Sequence, residues 1–340
     1  MSKTKVGIIN VTGYAGVELA RLLYRHPEVE ITSVTGRSAA GQKLGTVFPH
    51  LSDFDLTITA ELGDVDIAFS ALPQKESAKE VIAALQRGIK VVDISADFRL
   101  KDAADYPKWY GFTHPAPELL QESVFGLTEL YRKQVATARL VANPGCYPTG
   151  AILALAPALK AGIIEPDIII DSKSGVSGAG RTLSLGTHYS EVNEDVSAYS
   201  LEGHRHLPEI TQELAFLRPK PAPSVTFVPH LIPMTRGILT TAYAKLVGKK
   251  TQAELMSLYR DFYKGEPFVK VSAAPPHTKH TWGNNLCIVY PAVDVRQNRL
   301  IAISALDNLV KGAAGQAIQN MNLMFGFPET MALEGLAVYP

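Results

Sequence analysis

One of the two cysteines in this 340-residue chain lies in a setting that favours chemistry. Cys146 follows an apolar run, Leu140–Ala142, and the turn-forming residues 143–145, and it precedes Pro148 and a helix-like apolar pattern. Unpaired amides and the dipole at a helix N-terminus favour an anion, so the thiol pKa is expected to fall. The pattern predicts a nucleophile at Cys146, with a buried structural cysteine as the alternative. Cys287 lies in a strand-like run and is predicted to be core.

A pair of histidines supplies candidate acid/base groups. His204 and His206 flank Arg205, and a spacing of two residues cannot place both on one helix face. They are therefore predicted to lie in an irregular segment before a helix. A metal site is disfavoured, because no third ligand is nearby and Arg205 would repel a cation. Imidazole titrates close to neutrality, which suits proton transfer. A surface or structural role for either histidine is the alternative.

The elements that must position such residues begin with a glycine-rich turn near the N-terminus. Lys5–Asn10 has the pattern of a strand, Gly13 and Gly16 follow it, and helical spacing begins at Val17. Strand, glycine turn and helix together are typical of dinucleotide binding, because amides at the helix start hold the pyrophosphate. Asn10 departs from the pattern, since it stands where the first glycine would be. The residues predicted to contact the cofactor here are Thr12, Gly13, Tyr14 and Gly16.

The ends of the next strands indicate which cofactor binds. Arg37 and Ser38 follow the second strand, where a cofactor lacking a 2′-phosphate usually meets an acidic residue. This favours NADP(H) over NAD(H), although Arg37 as a solvated loop residue is the alternative. Ser70, at the end of the third strand, is predicted to line the nicotinamide side.

An arginine follows the fourth strand. Arg99 lies just beyond the carboxyl end of that strand, and its fork of donors suits a phosphate. We therefore predict a substrate-binding role. The alternative is a salt bridge to Asp93 or Asp97.

Alternating strands and helices predict the fold class. The first part of the chain should form an α/β domain with a doubly wound, Rossmann-type parallel sheet, residues 1–146 with 311–340. Residues 147–310 should form a second, α+β domain with a mixed or antiparallel sheet for substrate binding and oligomerisation. Within it, residues 225–246 are predicted to be two strands around a turn, with Arg236 at the turn as a candidate for a substrate carboxylate. Thr251 and Glu254 predict a capping box.

Composition excludes several classes of partner. Basic and acidic residues number 33 each, so the formal charge is zero, which argues against nucleic acid and anionic membranes. No apolar run reaches the length of about 18 residues that a membrane helix needs. The N-terminal residues lead directly into a strand without a signal-peptide pattern, and two cysteines fit neither a disulfide framework nor a zinc site. A cytoplasmic protein with a free thiol and no metal is expected.

Two motifs carry a resemblance to a known family. Asn-Pro-Gly-Cys-Tyr-Pro-Thr at 143–149 and His-Arg-His-x-Pro-Glu at 204–209 resemble the N-acetyl-gamma-glutamyl-phosphate reductases, which are relatives of aspartate-semialdehyde dehydrogenase. The resemblance extends over nearly the whole chain. It implies NADPH-dependent reductive dephosphorylation of N-acetyl-gamma-glutamyl phosphate to N-acetyl-L-glutamate 5-semialdehyde through a cysteine thioester, the third step of arginine biosynthesis from N-acetylglutamate. A homo-oligomer, dimer or tetramer, is expected.

The resemblance also assigns roles. His206 would activate Cys146, His204 would polarise the carbonyl, and Arg205 would contact the anionic end of the substrate. The glycine-rich loop with Ser177 and Gly178 would lie against the cofactor, Asn308 would lie near the nicotinamide amide, and Arg99 matches a phosphate-binding arginine.

Three other functions compete with this assignment. A lysine-pathway reductase acting on a carrier-protein-bound acyl phosphate shares the scaffold, but the residues after Cys146, Tyr147-Pro148-Thr149, match the arginine-pathway pattern. An unrelated cysteine hydrolase would not need the dinucleotide turn. A non-catalytic NADP-binding module would need neither Cys146 nor the histidine pair.

Overall fold

The computed structural model describes residues 2–218 and 220–340, so Met1 of the predicted first domain lies outside the described residues. The chain forms two compact units. The first runs to Pro144 and takes in Ala313–Glu334, and the second comprises Gly145–Gly312 and Gly335–Pro340. The predicted boundary placed residues 311–340 with the first domain. The last six residues instead pack in the second unit, where the Val338 amide donates to the Trp282 carbonyl (2.9 Å).

The first unit is built on a six-stranded sheet in which every pairing is parallel, as the predicted fold class requires. Its strand order is β2-β1-β3-β4-β6-β5. Continuous apolar runs form its central strands because helices cover both faces of such a sheet. Its strands are β1 (Thr4–Ile9), β2 (Val29–Val34), β3 (Ile67–Ser70), β4 (Lys90–Asp93), β5 (Val124–Phe125) and β6 (Leu140–Ala142). The helices of the first unit that precede the second unit in the sequence are α1 (Tyr14–Leu23), α2 (Leu44–Val47), α3 (Ser77–Gln86), α4 (Asp105–Trp109), α5 (Pro117–Glu122) and α6 (Thr128–Thr137).

The second unit holds a seven-stranded mixed sheet in the order β11-β12-β13-β10-β7-β9-β8. Its helix α7 is apolar on all sides, and residues 147–159 are all buried. The helices α9 and α10 pack against it, and so do β10, β12 and β13. The strands are β7 (Ile164–Gly175), β8 (Ser197–Ala198), β9 (Ser224–Ile232), β10 (Ile238–Leu246), β11 (Val269–Val271), β12 (Cys287–Asp294) and β13 (Arg299–Leu306). The helices are α7 (Cys146–Lys160), α8 (Tyr189–Val192), α9 (Leu207–Leu217) and α10 (Gln252–Phe262).

The two strands predicted around a turn in residues 225–246 are confirmed. The strands β9 and β10 exist, but β7 lies between them, parallel to β9 and antiparallel to β10. The connection crosses the end of β7 at Gly175, where a Cβ atom would come within 2.8 Å of the Met234 carbonyl oxygen. The glycine at the crossing allows these two non-adjacent strands to be joined by a short connection.

The last helix completes the first unit. A π-helical turn, Val310–Ala314, precedes α11 (Gly315–Met324), which packs against α1 and α6. The predicted capping box is confirmed at the start of α10, where Thr251 Oγ1 accepts from the Glu254 amide and Glu254 Oε2 accepts from the Thr251 amide. Among the described residues, no helix is long and apolar enough to cross a membrane.

Candidate active site

The cysteine nominated from the sequence is the first residue of α7. Gly145 is the N-cap in an extended conformation, and no side chain caps this helix. The thiol therefore lies at the positive end of the helix dipole, where partial positive charge stabilises a thiolate. Cys146 is half-buried, whereas Cys287 is fully buried as predicted.

A carboxylate holds the residue before the cysteine. Glu209, which is fully buried in the first turn of α9, accepts a hydrogen bond from the Gly145 amide at Oε1 (2.7 Å). A charge-assisted bond to a buried amide fixes the turn that presents the thiol. The motif quoted above contains Glu209, but the sequence analysis gave it no role.

The π-helical turn places a glycine against the cysteine. The Gly312 amide donates to the Asp307 carbonyl (2.9 Å), five residues earlier, which is the π-helical pattern. A Cβ atom at Gly312 would lie 2.8 Å from the Cβ of Cys146, so any larger residue would displace the thiol.

The two histidines lie just before and at the N-cap of α9, as expected, and both are buried. Their rings are 4.9 Å apart, and His204 Nδ1 accepts the His206 amide (3.0 Å). This contact leaves the proton of a neutral His204 ring on Nε2. Burial, followed by the charge of Arg205, lowers the pKa of His204 to about 4. At neutral pH His204 is therefore an uncharged donor.

Two tyrosines that the sequence analysis did not assign surround this pair. The Tyr147 ring contacts His204 (5.6 Å), His206 (5.9 Å) and Phe227 (5.4 Å), and its hydroxyl lies 3.1 Å from that of Tyr199. Burial is the main cause that raises the pKa of both phenols, and the nearby charge of Cys146 raises them further. The two imidazoles and the two phenols therefore form one cluster beside Cys146, called the Cys146 cluster here.

The glycine-rich loop after β7 brings three predicted cofactor contacts together. Asn308 donates from Nδ2 to Ser177 Oγ (2.9 Å) and accepts the Gly237 amide at Oδ1 (2.7 Å). A Cβ atom at Gly178 would lie 2.9 Å from Ser174 Oγ and 3.8 Å from Asn308 Nδ2. The loop is thus a tight backbone cradle, of the kind that a ligand can approach closely.

The two arginines predicted for substrate binding in this unit differ in their surroundings. Arg236 forms an ion pair with the fully buried Asp307 (3.2 Å) and is itself only partly exposed. Arg205 is exposed, and its charge adds to burial in lowering the pKa of His204. In the sequence it lies between the two histidines of the Cys146 cluster.

The glycine turn of the first unit is tightly packed, and the helix that follows it begins without a side-chain cap. Gly13 is the N-cap of α1 without a side-chain cap, and a Cβ atom at Gly16 would lie 2.4 Å from the Asn10 carbonyl oxygen. Asn10 adopts a positive φ of 66°, a conformation that asparagine tolerates better than most residues. Its Nδ2 donates to the Ala71 carbonyl (2.8 Å), and its Oδ1 accepts Thr12 Oγ1 (3.2 Å). Asn10 therefore supplies the backbone conformation of the missing glycine.

The remaining predicted contacts of the first unit occupy different environments. Tyr14 and Ser38 are exposed, and Arg37 is 68% exposed at its side chain and pairs with Glu76 (2.7 Å). Ser70 is fully buried, and its hydroxyl lies 2.6 Å from that of Ser77. The Ser70 side chain thus belongs to the interior of the unit.

The segment after β4 is held by buried acids. Asp93 accepts Ser77 Oγ (2.6 Å) and Ser95 Oγ (2.7 Å), and burial followed by the charge of Asp97 raises its pKa to about 6. Arg99 is buried and donates to the carbonyls of Asn143 (2.8 Å) and Ile94 (2.7 Å). Its positive charge lowers the pKa of Asp97, while burial raises that pKa more strongly.

Among the described residues there is no group of three or more histidine, cysteine or acidic side chains that could hold a metal ion.

Comparison with known proteins identifies the class. Residues 5–138 match the semialdehyde dehydrogenase NAD binding domain, and residues 146–308 match the semialdehyde dehydrogenase dimerisation domain. The crystal structure of aspartate semialdehyde dehydrogenase II from Vibrio cholerae superimposes with a TM-score of 0.74 at 18% identity, covering 95% of this chain and 99% of that one. At that identity the match establishes the fold alone. The two units therefore have the fold of semialdehyde dehydrogenases.

Relatives of higher sequence identity identify the family within this class. An N-acetyl-gamma-glutamyl-phosphate reductase of Dehalococcoides mccartyi is 61% identical over the full length of both chains. One of Symbiobacterium thermophilum is 51% identical and covers 99% of both. The chain belongs to the N-acetyl-gamma-glutamyl-phosphate reductase family within the semialdehyde dehydrogenases, and the resemblance inferred from its motifs is confirmed.

Proposed function

We propose that this chain catalyses the NADPH-dependent reductive dephosphorylation of N-acetyl-gamma-glutamyl phosphate to N-acetyl-L-glutamate 5-semialdehyde, the third step of arginine biosynthesis. The observation that carries the proposal is Cys146 at an uncapped helix N-terminus, directly before Tyr147, whose ring contacts His204 and His206 and whose hydroxyl meets that of Tyr199, in a chain 61% identical to such a reductase. We assign the first unit to cofactor binding and the second to catalysis and assembly. A cytoplasmic homo-oligomer, either a dimer or a tetramer, is part of the same proposal.

The first half of the reaction uses the thiol and the histidine pair. His206 accepts the proton of Cys146, and the thiolate attacks the carbonyl carbon of the acyl phosphate. The carbon–sulfur bond forms, the carbon–oxygen bond to phosphate breaks, and phosphate leaves with the bonding electrons. His204, neutral with its proton on Nε2, donates a hydrogen bond to the carbonyl oxygen as negative charge develops there.

The second half returns the thiol. When bound, NADPH supplies the hydride that reduces the thioester. The tetrahedral adduct then collapses, the carbon–sulfur bond breaks, and the semialdehyde leaves. His206 returns its proton to the sulfur, so the histidine pair ends the cycle as it began.

The residues present fit a dinucleotide phosphate cofactor. The uncapped start of α1, which Gly16 allows to pack closely against the backbone of Asn10 and Val11, suits the pyrophosphate, while Arg37 and Ser38 suit a 2′-phosphate. Aspartate semialdehyde dehydrogenase from Candida albicans, a structure described with NADP, has the same fold, with a TM-score of 0.70 at 14% identity. We assign Thr12, Gly13 and Tyr14, together with the cradle of Ser177, Gly178 and Asn308, to cofactor contacts. We assign Arg99, Arg205 and Arg236 to the anionic groups of the substrate.

The reverse reaction tests the proposal. Purified protein is supplied with N-acetyl-L-glutamate 5-semialdehyde, inorganic phosphate and NADP, and formation of NADPH is followed by its absorbance. We expect NADPH to form only when phosphate is present, because phosphate must cleave the thioester. A hydrolase or a binding module would form none, and phosphate-independent NADP reduction would contradict the acyl-phosphate chemistry. Rapid use of the free semialdehyde would also exclude an obligatory carrier protein.

A further inference from the structure

The asparagine that begins the turn before the cysteine is fully buried, although turn residues are mostly exposed. Asn143 directly follows β6 in the first unit and is 0% exposed. Asparagine suits turns because it tolerates a positive φ, as Asn10 shows, but Asn143 does not adopt one. Burial of an amide side chain costs free energy unless its hydrogen bonds are made. The role of Asn143 therefore lies in its contacts.

The side chain of Asn143 is bonded to both the π-helical turn and α11. Its Nδ2 donates to the Ala313 carbonyl (3.1 Å), and its Oδ1 accepts from Asn320 Nδ2 (3.0 Å). Asn320 is also fully buried, and its own Oδ1 has no hydrogen-bond partner among the described residues. The bond to Asn143 therefore fixes the orientation of the Asn320 amide.

The backbone of Asn143 holds the arginine that we assign to phosphate. The Asn143 amide donates to the Asp93 carbonyl at the end of β4 (2.8 Å). The Asn143 carbonyl accepts from Arg99 Nε (2.8 Å), and the Ile94 carbonyl accepts from Arg99 Nη2 (2.7 Å). Acceptors on two different segments fix the plane of a guanidinium group, whose donors form a rigid fork. The position of Asn143 therefore affects that of Arg99.

The segments that Asn143 joins also carry the residues packed at the thiol. Cys146 lies three residues beyond Asn143, and Gly312 directly precedes Ala313. A Cβ atom at Gly312 would come within 2.8 Å of Cys146 Cβ, so the two segments touch there as well. Because such packing leaves no slack, a shift of either segment would move the thiol.

We propose that Asn143 is a positioning residue for the reaction. Its side chain holds the turn before Cys146 against the π-helical turn, and its backbone orients Arg99. Both polar atoms of the side chain bond within the protein and none of the residue is exposed, so Asn143 does not itself contact the substrate. The inference rests on the proposed function, because it assigns a support to the nucleophile and to the phosphate-binding arginine of that reaction.

The proposal can be tested from the α11 side without altering the turn itself. Asn320→Leu nearly keeps the side-chain volume and removes the donor to Asn143. The matched control is Asn322→Leu, on the same helix and equally buried, whose amide donates to the carbonyls of Glu329 (3.2 Å) and Met331 (3.0 Å) instead. The control loses more hydrogen bonds, so its melting temperature should fall further than that of Asn320→Leu.

Two kinetic readouts separate positioning from stability. In the reverse reaction with inorganic phosphate, we expect Asn320→Leu to raise the KM for phosphate and to lower kcat, each by about three- to tenfold, since a buried acceptor of Asn143 loses its partner. Iodoacetamide alkylation of Cys146, which needs no turnover, should slow about threefold or more. The KM for NADP should stay within about twofold of the parental value. The Asn322→Leu control should match the parent in all these quantities.

A second variant guards against misfolding. Asn320→Ala removes the same donor without bulk beside Gly126, and it should show the same kinetic changes. Circular dichroism verifies the fold of each variant. A folded Asn320 variant with a parental KM for phosphate or a parental alkylation rate would overturn the proposal. Equal kinetic changes in Asn322→Leu would also overturn it, because lost stability would then explain them. NADPH formation by the parent tests the proposed function separately, and the alkylation rate does not depend on that function.

Discussion

In the described part of the chain, two α-helices begin at an uncapped glycine after a parallel strand, and the two starts differ in what surrounds them. The helix α1 begins after Gly13 and α7 after Gly145, and neither N-cap makes a side-chain hydrogen bond. At the first start, Asn10 holds the turn with a positive φ and neutral hydrogen bonds. At the second, the buried carboxylate of Glu209 binds the Gly145 amide directly.

The difference indicates how one local structure serves two kinds of chemistry. A helix start held by neutral groups keeps its amides available for an anion that arrives with a ligand. A helix start that carries its own thiol needs a firmly positioned backbone, because the nucleophile must stay aligned through covalent steps. Glu209 and Gly312 supply that positioning for Cys146.

Removing the nucleophile should have the largest effect. In Cys146→Ser we expect turnover to fall by at least about a thousandfold while NADPH binding stays at the parental level, because a serine hydroxyl does not ionise near neutral pH. Steady-state rates and a fluorescence titration with NADPH measure the two quantities. Retention of more than about a tenth of the parental activity would contradict the assignment of Cys146.

Loss of the carboxylate at the second helix start should have the next largest effect. Glu209→Ala leaves the buried Gly145 amide without this acceptor, which costs about 1–3 kcal/mol, so kcat should fall by about five- to a hundredfold. Glu209→Gln keeps an acceptor oxygen and should retain most of the activity. Iodoacetamide alkylation of Cys146 should slow in parallel, while the KM for NADPH stays constant. Equal activities of the Ala and Gln variants would show that the bond to Gly145 does not position the thiol.

The sequence predicted the elements of the fold better than their pairing. The first sheet followed from apolar runs alternating with helical spacing, since both are local patterns. The pairing of β9 and β10 did not, because connection length does not reveal that a third strand, β7, lies between them. The predicted start of α1, at Val17, was three residues late, since helical apolar spacing becomes visible only after the first turn.

Some residues of the candidate site could be predicted from the sequence, and others could not. Cys146, His204 and His206 could be nominated by residue type and turn chemistry. Glu209 and Tyr199 could not, because their contacts join residues separated by 64 and 52 positions in the sequence. The cofactor role of Ser70 was inferred from its place at a strand end, which does not indicate that its hydroxyl is buried against Ser77.

The preference for NADPH over NADH tests whether the first unit binds the cofactor. We expect kcat/KM to favour NADPH over NADH by about tenfold or more, because a charged contact to a 2′-phosphate is worth about 1.5–3 kcal/mol. Arg37→Ala should remove most of this preference. Glu76→Gln should increase it, since Glu76 pairs with Arg37 (2.7 Å) and competes with the phosphate. Equal use of both cofactors by the parent would contradict a contact between Arg37 and a 2′-phosphate.

If His206 activates Cys146 as proposed, replacing it should change the thiol pKa in a direction that can be stated. A protonated His206 stabilises the thiolate, so His206→Asn should raise the apparent thiol pKa toward its unperturbed value of about 8.5. His204→Asn should move it less and mainly lower kcat, because His204, with its pKa near 4, is already uncharged at neutral pH. The rate of iodoacetamide alkylation against pH reports the midpoint without turnover. A shift found only in His204→Asn would exchange the two roles.

The smallest effect is expected at Asn10, and it tests whether the first turn needs a conformation or a side chain. Asn10→Gly keeps the positive φ at little cost and loses two hydrogen bonds, so the KM for NADPH should change by less than about threefold. Asn10→Ala loses the same bonds and must also adopt the left-handed conformation, which costs about 1–2 kcal/mol more. It should therefore lower the melting temperature more than Asn10→Gly does. If Asn10→Gly alone abolished cofactor binding while the melting temperature stayed unchanged, the amide side chain itself would contact the cofactor, and the two helix starts would each depend on a specific polar group.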